Sequence, residues 1–187
     1  MRLHPFATSL AALACSLALE PAATFAQGAP PGAAAVAPAG CAVRAGHDAL
    51  DVMLGRWDVV AGSGRLVAHV VVSKRLDGCL VREEWSSPGG DAEGSYLFDA
   101  RSGSWDEIWV TSDTSRNAGL VRAAVTRLDD GGLRFAGEER TTDGKPYRHE
   151  VYLRPDGSGK LLQLMRVSVD GGATWQERFR ATWSRTP

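Results

Sequence analysis

Residues 57–183 are cut into short pieces by Asp77-Gly78, Pro88-Gly89-Gly90, Ser102-Gly103, Asp130-Gly131-Gly132, Asp143-Gly144, Asp156-Gly157 and Asp170-Gly171-Gly172. Spacers this short join antiparallel neighbours, because a parallel crossover needs a dozen or more residues. Between the turns, apolar residues alternate with polar ones, the period of a half-buried strand. Ten strands are predicted: Trp57–Val60, Arg65–Ser73, Cys79–Trp85, Ser95–Phe98, Trp105–Val110, Gly119–Leu128, Leu133–Glu139, Tyr147–Leu153, Leu161–Ser168 and Trp175–Trp183. The fold class is all-β, a single up-and-down antiparallel β-barrel of about ten strands. Leu50, Met53 and Leu54 recur at helical spacing and predict a short N-terminal helix against one end of the barrel.

The chain has 187 residues, enough for one domain once its ends are set aside. Arg2 and His4, the apolar run from Ala7 to Leu19, and Ala23-Thr24-Phe25-Ala26 read as a secretory signal over 1–26, cleaved after Ala26. A lipoprotein signal with cleavage before Cys15 is the alternative. The apolar run is too short to span a bilayer and Pro21 ends it, so no integral membrane segment is expected in the mature chain. The expected location is periplasmic or secreted. Residues 27–44 are rich in Ala, Pro and Gly and predict a flexible leader, which leaves 45–187 as the barrel domain. A net charge of −1 with no basic stripe argues against nucleic acid as a partner. Cys15 falls within the signal, leaving Cys41 and Cys79 to form a disulfide in an oxidising compartment or to stay as two buried thiols.

Residues two apart on a strand share a face, so parity sorts inward from outward side chains. Glu83 falls on the apolar face with Val81 and Trp85, and Glu107 stands between Trp105 and Trp109. His149 shares a face with Tyr147, Val151 and Leu153, Glu139 with Phe135, Glu177 with Phe179, and Gln163 with Met165. A lone buried carboxylate costs several kcal/mol, so such groups are paired, protonated, near the barrel mouth or turned outward by a bulge. The candidate ligand-binding residues are Glu83, Trp85, Trp105, Glu107, Trp109, His149 and Gln163. Acids beside indole faces favour a cationic or hydroxyl-rich small molecule.

No catalytic residue is assigned, since the chain has no Gly-x-Ser-x-Gly and no Cys-x-x-Cys. His47, His69 and His149 lie on separate segments, so no metal site or other cofactor is expected. The leading expectation is a non-enzymatic barrel that binds a small molecule. The alternatives are a small barrel enzyme using Glu83 and Glu107, or His149, as acid and base, and a haem-binding barrel ligated through His149. Gly55 and Trp57 open the first strand in a pattern similar to that of calycin barrels, a resemblance that implies an Arg from the last strand, Arg178, Arg180 or Arg185, over the Trp ring. Ser168, Asp170, Gly172, Thr174 and Trp175 fit the Asp-box pattern of sialidase propellers, read here as one braced hairpin turn in which Asp170 and Trp175 are structural.

The run from Leu50 to Val59, Gly78-Cys79 with Glu83 and Trp85, Trp105 with Trp109-Val110, and the Ser168–Trp175 pattern together resemble the bacterial calycin-like, lipocalin-like family known as domain of unknown function 1579. The resemblance covers residues 48–183 and implies a small, exported, barrel-shaped protein. This chain differs in having Glu107 where that family often has Gln, Thr111 where it often has Asp, and Leu162 where it commonly has Arg. It is more distantly similar to ten-stranded haem-binding barrels of the nitrobindin kind, without a matching motif around His149.

Overall fold

The computed structural model describes residues 40–115 and 119–187; the signal sequence and most of the leader read from the sequence lie outside the described residues. Ten strands follow one another: β1 Gly55–Ala61, β2 Leu66–Arg75, β3 Leu80–Ser86, β4 Ala92–Asp99, β5 Ser104–Thr111, β6 Leu120–Arg127, β7 Leu133–Arg140, β8 Pro146–Pro155, β9 Leu161–Ser168 and β10 Gln176–Arg185. Each is antiparallel to the next, and β10 returns to β1 to close the barrel. The closing ladder runs from Trp57 opposite Arg185 to Ala61 opposite Ala181. Every expected strand is present, with the largest departure at β4, which starts at Ala92 rather than Ser95.

Closure gives the barrel two unlike ends. One is a sealed floor, where β1 begins and β10 ends. Trp57 lies buried there and donates from its indole nitrogen to Met53 O at 2.7 Å. The expected arginine is Arg185, whose guanidinium lies 4.2 Å from the centre of the Trp57 ring and donates to Leu54 O at 2.9 Å. Gly55 is required at this corner. Its φ of 125° suits glycine, and a Cβ there would stand 2.6 Å from the Arg185 guanidinium. Leu50, Met53, Val81, Trp105, Leu133, Leu153, Leu161 and Trp183 fill the space above it.

The expected N-terminal helix is a single 3-10 turn, Asp51–Met53. The residues before it run in separate turns closed by i to i−3 bonds, with Gly46 at a φ of 83°, so no α-helical ladder propagates. A second 3-10 turn, Cys41–Val43, sits at the end of the predicted leader and is tied by a Cys41–Cys79 disulfide with a Cα separation of 5.0 Å. Further along, Trp105 donates to Gly46 O at 2.9 Å, so the segment before β1 is pinned to the floor at both places.

The outer wall is held by polar contacts. Glu150, the neighbour of His149 on β8, faces outward yet is buried beneath Arg134 and Arg166, which both donate to its carboxylate. Tyr152 donates to it as well, at 2.9 Å. Burial raises the pKa of this carboxyl, but the three donors outweigh it and hold the group below the usual range. The Asp-box turn between β9 and β10 forms as expected: Asp170 accepts from Thr174 N at 2.9 Å and Thr174 Oγ1 at 2.6 Å, and Gly172 N donates to Ser168 Oγ at 2.8 Å. Trp175 donates to Gly172 O at 3.1 Å, with the Arg166 guanidinium 4.6 Å over its ring.

The disulfide closes a sequence separation of 38 residues. Replacing both cysteines (Cys41→Ser with Cys79→Ser) is expected to cost about 3–4 kcal/mol of stability by restoring entropy to the unfolded chain. Urea unfolding measures it, and a loss below about 1 kcal/mol would mean that noncovalent contacts alone hold the N-terminal segment.

Candidate functional site

Above the packed floor the barrel is hollow. A cavity of about 890 Å³ occupies the upper half and reaches the loops at the opposite end, including Ser87–Gly90 and Asp113. Alternation places its walls. Glu83 and Trp85 come from β3, Tyr96 from β4, Glu107 and Trp109 from β5, His149 and Val151 from β8, Gln163 and Met165 from β9, and Phe179 and Trp183 from β10. Six of the seven candidate residues from the sequence therefore line one space. Trp105 does not. It lies at the floor end of β5, buried against Phe98 with 5.0 Å between ring centres, so its part is in the packing.

Two carboxyls and a phenol, Glu83, Glu107 and Tyr96, come together on the cavity wall. Glu83 is 3% exposed and accepts a hydrogen bond from Tyr96 Oη. Tyr96 is also the cross-strand partner of Glu107, so the phenol stands between the two acids in the sheet. Among the described residues, neither carboxyl has an Arg, Lys or His within ion-pair distance. Burial accordingly pushes Glu83 up to about 7, against the pull of the Tyr96 bond. Burial together with the Glu83 charge pushes Glu107 up to about 8. The Tyr96 phenol is held well above its usual value by burial and by both acids.

Gly94 makes this grouping possible. It faces Glu83 on one side and Trp109 on the other in the strand register. A Cβ there would lie 3.1 Å from both Tyr96 Oη and the Trp109 ring, so a side chain would make the phenol or the indole give way by a few tenths of an ångström. Sequence parity missed Tyr96 because attention fell on charged residues. The signal was present: Tyr96 lies on the inward face of β4, two residues beyond Gly94.

His149 stands on β8, 4% exposed, and neither ring nitrogen has a hydrogen-bond partner. Burial lowers its pKa, with Glu139 and Glu150 pulling weakly the other way, so the ring is neutral at neutral pH. Its cross-strand partner is Gly137, whose bare Cα leaves room for the ring. Gln163 is already engaged, accepting from the Trp183 indole at 2.8 Å. Trp183 in turn begins a row of edge-on indole contacts, 6.1 Å to Trp57 and 6.0 Å to Trp85, which itself lies 6.0 Å from Trp109.

Two parity expectations fail, each for a local reason. Glu177 does not face inward, because the β9–β10 register slips between Glu177 and Phe179. The bulge puts Arg178 on the cavity wall and turns Glu177 out, where Arg180 binds it at 2.6 Å. Glu139 is not on the cavity wall either. Its carboxylate accepts from Arg122 N at 2.7 Å, capping the edge where the β6–β7 ladder stops short.

Glu83 and Glu107 are more easily protonated in the folded than in the unfolded chain. The stability they contribute is complete below the ordinary carboxylate range and is lost as the pH rises through about 7 to 8. His149 acts with opposite sign, its contribution lost as the pH falls. The expected net result is a melting temperature that falls by several degrees between about pH 5.5 and 8.5, with the fall clearly reduced in Glu107→Gln. Differential scanning calorimetry decides it, and a wild-type midpoint that climbs over that interval contradicts the assignment.

No protein-family model matches this chain, and no curated protein matches it either.

Proposed function

We propose that this chain is an exported barrel that binds a small molecule in its open half, and that it belongs with the calycin-like proteins of domain of unknown function 1579. The observation that carries the reading is the cavity itself: about 890 Å³, closed below by Trp57 and Trp183, open above, and lined by indoles with a few convergent polar groups. Sites for small organic molecules have this composition, apolar walls with sparse polar groups that fix orientation. The disulfide and the signal-like residues 1–26 support export. Binding is favoured over turnover because Glu83 is engaged by Tyr96, which stands between it and Glu107 in the sheet, rather than left free to face a substrate.

A second reading, a proton-transfer enzyme, draws on a single observation. Glu83 and Glu107 are held close to neutrality, where a general acid or base works best.

Native mass spectrometry and Trp fluorescence against a library of amines, acids, sugars and lipids test the binding reading. At least one compound is expected to shift both signals, and Trp109→Phe is expected to weaken it by about three- to tenfold. If no compound of any class moves either signal, the reading is wrong. Consumption of a bound compound, abolished in Glu107→Gln, would select the enzyme.

A further inference from the structure

We infer that the ligand is a small organic ammonium ion, whose charged nitrogen replaces the proton held by one of Glu83 and Glu107 and whose body carries a second hydrogen-bonding group that meets His149. This rests on the binding reading above and names the class of molecule for that same cavity.

Four observations converge on it. Glu83 is buried and Glu107 half-buried on the cavity wall, with no cation beside either among the described residues, so the missing partner of these carboxyls is a positive charge. Trp85 and Trp109 flank that position, and indole faces attract ammonium groups. Across the cavity, His149 offers one donor and one acceptor nitrogen, both unmatched by protein, in a ring that is 4% exposed. The other charged groups on the wall, Asp113 and Arg178 near the mouth, are of opposite sign and give no bias towards an anion.

The exchange is simple. One acid of the pair holds a proton, and an arriving ammonium ion supplies the same charge with its own N–H donors. The carboxyl that gives up its proton becomes a carboxylate, the proton leaves to solvent, and the net charge of the filled cavity is unchanged. The groups that face the pair are Tyr96 from β4 and, over the open space, His149 from β8 and Arg178 from β10. His149 itself is faced by Glu139 from β7, and by Glu150 on its own strand, which Arg134 and Arg166 neutralise. Affinity for an ammonium ligand therefore rises with pH through the range in which the pair loses its proton.

Isothermal titration of the purified protein with four matched probes tests this: tyramine, phenethylamine, 4-ethylphenol and 3-(4-hydroxyphenyl)propionate. Tyramine is expected to bind tightest, about ten- to a hundredfold over 4-ethylphenol and about two- to tenfold over phenethylamine, with the propionate weakest. Repeating the tyramine titration in phosphate and in Tris should show release of about one proton per ligand near neutral pH. In Glu107→Gln that release and the preference over 4-ethylphenol should vanish, and in His149→Leu the preference over phenethylamine should vanish. Proton uptake, or 4-ethylphenol binding as well as tyramine, overturns the inference in favour of a neutral acceptor ligand. If another library class binds while both amines do not, the inference fails and the binding reading stands. If nothing binds, both fail.

Discussion

The ladder between β1 and β10 is the constraint on which everything else in this molecule rests. An open ten-stranded sheet with these residues would leave Glu83, Glu107 and His149 in water and two edges unpaired. Joining Trp57 to Arg185 and Val59 to Trp183 gives the sheet an inside. The join is reinforced by side chains as well as by backbone, since Arg185 covers the Trp57 ring and bonds back to Leu54. Once closed, one end holds a dry apolar core and the other keeps a space that the available side chains do not fill.

That division explains how a barrel can tolerate buried carboxyls. Below the cavity the large residues pack without polar interruption, so the hydrophobic contribution to stability is concentrated there. Above it, Glu83 takes a hydrogen bond from Tyr96 instead of recruiting an arginine, and burial favours the protonated form of both Glu83 and Glu107. The contrast with Glu150 is instructive. That carboxylate is equally buried, one residue along from His149, but on the outer face it has two guanidinium partners and stays ionised. The same kind of side chain is pushed in opposite directions on the inner and outer faces of the barrel because its neighbours differ.

Most of this architecture was legible in the order of residues. The Asp-Gly turns and the period-two alternation located all ten strands, and parity alone brought Glu83, Trp85, Glu107, Trp109, His149 and Gln163 to one wall. What escaped was anything that depends on register or on a local break in it. Trp105 obeys the parity rule yet misses the cavity, because parity chooses a face and says nothing of depth along the barrel axis. Arg178 and Glu177 exchange sides at a bulge that no residue type announces. Tyr96 was overlooked because its importance comes from being diagonal to Glu83 and opposite Glu107, a relation between strands. The expected helix shrank to one 3-10 turn because the backbone before Gly55 closes i to i−3 turns from a left-handed Gly46, which three apolar positions at helical spacing do not reveal.

The row of indoles has an optical meaning. Trp57, Trp183, Trp85 and Trp109 are each about 6 Å from the next, from the sealed floor to the cavity wall. Aromatic rings at that spacing pass excitation from one to another faster than they emit. Light absorbed anywhere along the row is therefore reported by whichever indole lies lowest in energy, and a quencher touching Trp109 darkens the floor as well.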